Sequence, residues 1–485
     1  MIFRMKKGTL LVSCLFIALL VLISFSFRSD LSYKIPFHTD ESTQAWILQE
    51  GMKLGYIKYD PLHHHGPAPL YLRQLFLGFQ QSSDWGEWTE PGLRRSGIYC
   101  SILTLVLFFV MLVRYSVYSA LLTGLLFAFH PYLIYYHTQA IHEPIFVFFG
   151  IALLSSLHYA KLKSSFILLL VAGIFAGLFQ SSKETWVLLP VCAFFAWGVN
   201  GSLRSFLPLF IEANRAIYFF LGAILISVLL YSGFFQDLHG IFNSWATFWS
   251  YQTEEGHTKP FFWYFQSLFG LFPLNLPLLL CSLVWVIPWI PLKNKSAVPC
   301  WVCVWKWIAL FQLISYSLIP YKTPWLLLLA WTLIIPAAGC QLDLFLRSSY
   351  WHKRLGILMI LLLGIGFYVL QWNPLSASLY PYSYSATSTE IHGVLEFVRK
   401  KQRSVHREIR IAVEGDSYWP LPWYLRGYPS VGYFEHEAPE GFDYIMSVEP
   451  QLTKESRLDQ WELRENIAVT LIDCAVPTQM IDQKQ

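Results

Sequence analysis

Apolar stretches recur from residue 9 to residue 372, and the turns between them alternate in charge. A membrane helix needs about 20 mostly apolar residues. Spans are expected near 9–27, 98–113, 117–136, 144–160, 166–180, 186–199, 216–235, 268–290, 301–319, 325–341 and 356–372, about eleven in all. Lys and Arg collect in cytoplasmic turns. One set of turns holds Arg114, Lys161 with Lys163, Arg204 with Arg215, Lys293 with Lys295, and Arg347 with Lys353 and Arg354. The other set holds Asp40-Glu41, His142-Glu143, Lys183-Glu184, Glu254 to Lys259 and Tyr321-Lys322-Thr323. This alternation fits an N-terminus in the cytoplasm and predicts an all-α polytopic membrane bundle over residues 1–372.

Composition agrees. The chain is 55% hydrophobic and only 14% charged, too little polar surface for a soluble protein of 485 residues. Its net charge of +4 is small and spread out, which argues against nucleic-acid binding. Arg4, Lys6 and Lys7 precede the first span, which lacks a small-residue cleavage site and reads as a retained anchor. The eight cysteines fall mainly in apolar spans, where they act as small hydrophobes. Cys300-x-x-Cys303 has redox or metal spacing, yet it sits at a helix start beside Trp301 and Trp305 with no nearby second pair, and it reads as packing.

An odd number of spans puts the tail, residues 373–485, on the extracytoplasmic side. Ile409 to Val413, Val431 to Phe434 and Phe442 to Met446 read as strands, and Trp419 to Leu425 as a short helix or turn. A small α/β domain is expected there.

The first outer loop, residues 28–97, is too long for a simple turn, and loops of this length are usually functional. Thr39 suits a helix cap, with Asp40 and Glu41 in a first turn where the dipole favours negative charge. The predicted helix lies along the membrane surface, and His65-Gly66-Pro67 turns the chain into a second one. Asp40 and Glu41 are open to two uses, a plain cap or a catalytic acidic pair. The other outer turns also carry polar groups beside aromatics: His137, His142 and Glu143; Lys183 and Glu184; Tyr321, Lys322 and Thr323. Polar groups near membrane depth tend to line a cavity and mark function.

Such groups suit a particular chemistry. A carboxylate orients or deprotonates an acceptor hydroxyl or amine. A lysine neutralises a phosphate as charge develops on it. Asp40, Glu41 and Glu143 are therefore candidate catalytic carboxylates, and His65, Lys183, Glu184, Tyr321 and Lys322 candidate donor-phosphate and substrate ligands. Lys183-Glu184 also suits an interfacial ion pair, and Lys322 a snorkelling lysine. His63, His64 and His65 point in different directions on any regular element and read as a polar loop rather than a metal triad. A divalent ion such as Mg or Mn, bridging Asp40 or Glu41 to a phosphate, is a further expectation.

At these residues the chain resembles the GT-C glycosyltransferase clan, which includes protein O-mannosyltransferases and the lipid A aminoarabinose transferase. It is most similar to the flippase activity-associated protein family. The shared stretches are His38 to Glu41, Tyr59-Asp60-Pro61 with His65-Gly66-Pro67, Lys183-Glu184, Ile319 to Trp325, and Asp416 to Leu425. The resemblance spans nearly the whole chain. It implies a polyprenyl-phosphate sugar donor, a lipid, glycan or protein acceptor, and a cell-envelope membrane enzyme with Asp40 as its catalytic carboxylate. Where the family carries a basic residue shortly before the second acidic one, this chain has His137 and His142 before Glu143 and no arginine. Two other functions fit the same residues: a lipid-linked sugar flippase, or a non-catalytic accessory of one. Transporters favour polar sites at the midplane within repeats, and this chain has its unusual charges at one rim and no visible repeat.

Overall fold

The computed structural model describes residues 7–78, 85–250, 257–269, 275–291, 298–348, 350–372, 383–405, 407–450, 460–464 and 467–473. Residues 251–256, 270–274, 292–297 and 373–382, which hold parts of an expected outer turn, the eighth span, an inner turn and the start of the tail, lie outside them, as does Cys474. The chain divides into two compact units. One draws on residues 1–32, 51–80 and 91–384, the other on residues 33–50, 81–90 and 385–485.

The first unit is helical. Among the described residues, seven helices are long and apolar enough to cross a membrane: Leu11–Lys34, Glu90–Leu112, Glu143–Lys163, Ala213–Tyr231, Cys300–Leu318, Pro324–Arg347 and Tyr350–Leu370. Val117–Phe129 and Pro131–Thr138 form an eighth when taken as one span bent by 62°. The bend falls where Pro131 follows an extended His130, because proline cannot continue the helical hydrogen-bond ladder. The remaining expected spans appear as the shorter apolar helices Phe166–Gln180, Glu184–Val199 and Leu276–Trp289. At 1.5 Å per residue, the 15 residues of Phe166–Gln180 reach only about 22 Å of a core about 30 Å thick. The first helix continues to Lys34, well past the expected end at residue 27, since no proline interrupts it before Pro36.

Packing follows small residues. Gly173 and Gly177 lie one turn apart on Phe166–Gln180 and face Ala213–Tyr231. A methyl group on Gly173 would stand 2.0 Å from the Phe219 carbonyl oxygen, and one on Gly177 2.6 Å from that of Ala223. Glycines spaced this way let two membrane helices meet backbone to backbone. The Leu328–Arg347 helix is the core of the bundle, and its window within Pro324–Arg347 is wholly buried. Its buried Asp343 accepts hydrogen bonds from Ser116 Oγ (2.5 Å), Ser119 Oγ (2.7 Å) and Arg347 Nε (2.5 Å). Cys300 and Cys303 are free thiols on the first turn of Cys300–Leu318.

The second unit is α/β. Its five strands are β1 (Ile411–Glu414), β2 (Val431–Phe434), β3 (Tyr444–Pro450), β4 (Gln460–Arg464) and β5 (Ile467–Asp473), in the order β2-β1-β3-β5-β4. β1 runs parallel to β2 and β3, while β5 runs antiparallel to β3 and β4. The Ile391–Ser404 helix buries Ile391, Val394 and Val398, a single helical face. The expected strands and short helix of the tail are all present, and β4, β5 and this helix join them.

Two pieces of the first loop complete this unit. Phe37 is fully buried, with its ring 4.4 Å from that of Trp423. Its N–H donates to Tyr424 Oη (2.6 Å), and its carbonyl accepts from Thr387 Oγ1 (2.7 Å). Arg426 donates to the carbonyls of Trp85 (3.2 Å) and Trp88 (2.6 Å).

Candidate active site

The first unit gathers one polar cluster from three turns. His65-Gly66-Pro67 leads into the helix Ala68–Gly78 and lies against the turn that ends Phe166–Gln180. The Ala68 N–H donates to the Ser181 carbonyl (2.8 Å). A methyl group on Gly66 would stand 2.3 Å from that same oxygen, so only glycine permits the approach. The contact brings His65 Nδ1 to 2.8 Å from Glu184 Oε2. Next along the chain, Lys183 Nζ pairs with Glu143 at the start of Glu143–Lys163, and both side chains are only 5% exposed. His142 caps the same helix, its ring edge-on to that of His65 with centroids 5.1 Å apart. Arg73, buried on Ala68–Gly78, donates from Nη2 to the Ile141 carbonyl (2.5 Å). Four of the residues singled out by sequence, His65, Glu143, Lys183 and Glu184, thus come together.

Their charges are coupled. Burial works to raise the Glu184 carboxyl, but His65 and Lys183 hold it at about 2. Burial opposes the Lys183 ammonium, but Glu143 and Glu184 more than offset this and hold its pKa above the ordinary lysine value. Burial, aided by His65, Arg73 and Lys183, pushes His142 well below the usual histidine range, so it is neutral at physiological pH.

Tyr321 and Lys322 occupy a second turn, between Cys300–Leu318 and Pro324–Leu327. A short strap runs alongside it. The Lys322 N–H donates to the His257 carbonyl, and the Lys259 N–H to that of Pro320, each at 3.0 Å. Lys322 Nζ donates to the carbonyls of Lys259 (3.1 Å) and Ile319 (2.5 Å). Among the described residues no carboxylate pairs with it. The Tyr321 ring lies tilted at 57° to that of His257, with centroids 5.1 Å apart. Tyr132 and Tyr264 hydroxyls hold the carbonyls of Pro324 (2.5 Å) and Thr323 (2.9 Å).

Asp40 and Glu41 fold with the second unit, at the start of the helix Thr39–Leu54. The two carboxylates differ. Glu41 is fully buried, and its Oε2 accepts the His38 N–H (2.9 Å). His38 Nδ1 accepts the Asp40 N–H (3.1 Å). His38 and Glu41 therefore cap the helix reciprocally, a capping box with histidine in the serine position. The Asp40 side chain is 46% exposed and 3.9 Å from His38 Nδ1.

These donors do not form a cage for a divalent ion. Among the described residues no three His, Cys, Asp or Glu converge on a metal-sized site. Asp40 offers one carboxylate, and that of Glu41 is spent on the helix end.

No family model and no curated protein sequence matches the chain. Solved structures do match. ArnT from Cupriavidus metallidurans in the apo state superposes with a TM-score of 0.64 at 12% identity, over 96% of this chain and 98% of that one. ArnT bound to undecaprenyl phosphate superposes at 0.56 and 13% identity over the same shares. The oligosaccharyltransferase AglB from Archaeoglobus fulgidus, in complex with an inhibitory peptide and a dolichol-phosphate, superposes at 0.54 and 12% identity, over 88% of this chain and 65% of its own. The chain shares the fold of these structures.

That fold and the polar cluster were both legible in part. Arg73 escapes the sequence reading, although a lone arginine in the otherwise apolar run Ala68-Pro69-Leu70-Tyr71-Leu72-Arg73 is a legible signal.

Proposed function

We propose that this chain is a membrane glycosyltransferase that moves a sugar from a polyprenyl-phosphate donor to an acceptor on the extracytoplasmic side. The observation that carries the reading is Asp40: a half-exposed carboxylate on a helix whose neighbouring acid and histidine are consumed in the cap. The match to a GT-C structure holding undecaprenyl phosphate supports the donor class. In this reading the acceptor oxygen or nitrogen attacks the anomeric carbon, and the bond from that carbon to the phosphate oxygen breaks. Asp40 takes the acceptor proton, and the polyprenyl phosphate leaves as an anion. In the first unit, Lys322, bonded to two carbonyls, and Lys183, paired with Glu143, are the proposed ligands of a lipid phosphate. His65 and Tyr321 position the phosphate or sugar hydroxyls. Glu41 fixes the register of Asp40, and Glu143 fixes that of Lys183. The N-terminus is cytoplasmic, and the second unit, with the flippase activity-associated family likeness, belongs to the outer face of a cell-envelope membrane.

The test uses purified full chain in detergent with a panel of undecaprenyl- and dolichyl-phosphate sugars, following release of the lipid phosphate. Asp40→Asn lowers turnover by about 10²–10⁴-fold and leaves thermal unfolding unchanged. Glu41→Gln lowers stability by about 1 kcal/mol, the usual cost of a lost cap. Wild-type turnover in Asp40→Asn refutes the assignment. Movement of the lipid only in sealed vesicles, with no release in detergent, identifies a translocator instead.

A further inference from the structure

The helix Glu143–Lys163 carries the polar cluster at its first residue and Lys161 near its last. Eighteen residues separate Glu143 from Lys161, about 27 Å of helix, so Lys161 sits at the opposite end of the bundle. There it borders an apolar cavity of about 370 Å³ lined by Leu157, His158, Trp197, Phe206, Trp301 and Trp305, among others. Trp301, Trp305 and Phe206 are buried, and Trp197 stacks flat on Phe206 at 4.6 Å. Lys161 also borders a smaller polar recess of about 110 Å³, whose lining includes Ser164, Ser205, Glu212 and Arg215.

Lys161 is held by soft contacts only. Its Nζ lies 2.5 Å from Ser205 Oγ and 4.0 Å over the Phe206 ring. The one acid lining the recess, Glu212, is 3.2 Å from Arg215 and neutralises it. Among the described residues no carboxylate pairs with Lys161. A cation without a counter-ion, set between serine hydroxyls and a tryptophan-lined apolar cavity, matches a phosphate group with a hydrocarbon chain attached. Basic pockets between membrane helices recognise anionic headgroups in this way. We propose that this cavity binds an anionic membrane phospholipid, with its phosphate on Lys161 and the recess serines and its acyl chain against the tryptophans. The site is separate from the one proposed for sugar transfer.

Native mass spectrometry of the purified full chain tests this without a sugar donor. Phosphatidylglycerol and phosphatidylcholine of identical chains are titrated separately. The wild type retains phosphatidylglycerol about fivefold more tightly, the ratio for about 1 kcal/mol of attraction between one lysine and a net-anionic headgroup, because choline cancels the phosphate charge in phosphatidylcholine. Lys161→Gln abolishes that preference, Lys161→Arg keeps it, and Lys163→Gln, one helix position outside the cavity lining, leaves it unchanged. Equal retention of the two lipids by the wild type, or an undiminished preference in Lys161→Gln, overturns the proposal. So does displacement by millimolar inorganic phosphate, which would mark a simple anion site. Lys161→Arg keeps the comparison informative where the glutamine variant folds poorly. A negative result here leaves the sugar-transfer reading untouched, and the reverse also holds.

Discussion

Lys183→Met removes the partner of a carboxylate that is 5% exposed. Glu143 is then a buried carboxylate without its partner, and breaking a buried pair in this way costs about 3–5 kcal/mol. Glu143→Gln costs less, because Lys183 keeps the field of Glu184. The double variant recovers most of the loss, since neither charge is left stranded, and the coupling is at least about 2 kcal/mol. Denaturant unfolding of the four detergent-solubilised proteins gives the cycle directly. Single-variant losses that add to within about 0.5 kcal/mol would show that the two charges do not depend on each other.

Two further outcomes follow from the same cluster. His142 has a depressed folded pKa, so its contribution is complete above the unfolded value of about 6.5 and is lost as pH falls below it. Between pH 6.5 and 5.5 this single group removes up to about 1.4 kcal/mol, and thermal melting of His142→Asn against wild type shows a shallower acid slope in the variant. Gly66→Ala drives a methyl group toward the Ser181 carbonyl, a fixed backbone atom 2.3 Å away. The turn must move, at a cost of about 1–3 kcal/mol, and with it the His65–Glu184 contact. His65→Ala then adds little stability loss on the Gly66→Ala background, and a full additive loss would show that the contact survives.

The bundle was legible because apolar length and turn charge are local properties. All eleven expected spans have helical counterparts, while the bend at Pro131 and the short reach of Phe166–Gln180 depend on packing. The Gly173-Ile174-Phe175-Ala176-Gly177 spacing was readable in the chain, but its partner helix was not. Within the cluster, residue types were visible and pairings were not. Lys183 stands beside Glu184 in sequence yet bonds Glu143, forty residues away. Of Asp40 and Glu41, Glu41 caps the helix, and Asp40 is left half-exposed. A period or a motif does not distinguish adjacent carboxylates that a helix turns to different faces.

The bond from Phe37 to Tyr424 joins residues 387 positions apart. At about 5–20 residues per second, synthesis needs roughly 20 to 80 s to supply the second partner after the first has emerged. Throughout that interval the segment bearing Asp40 has no Trp423 or Tyr424 to rest on. Folding of the second unit therefore waits on residues made long after its first segment, whatever the helices of the first unit have already done.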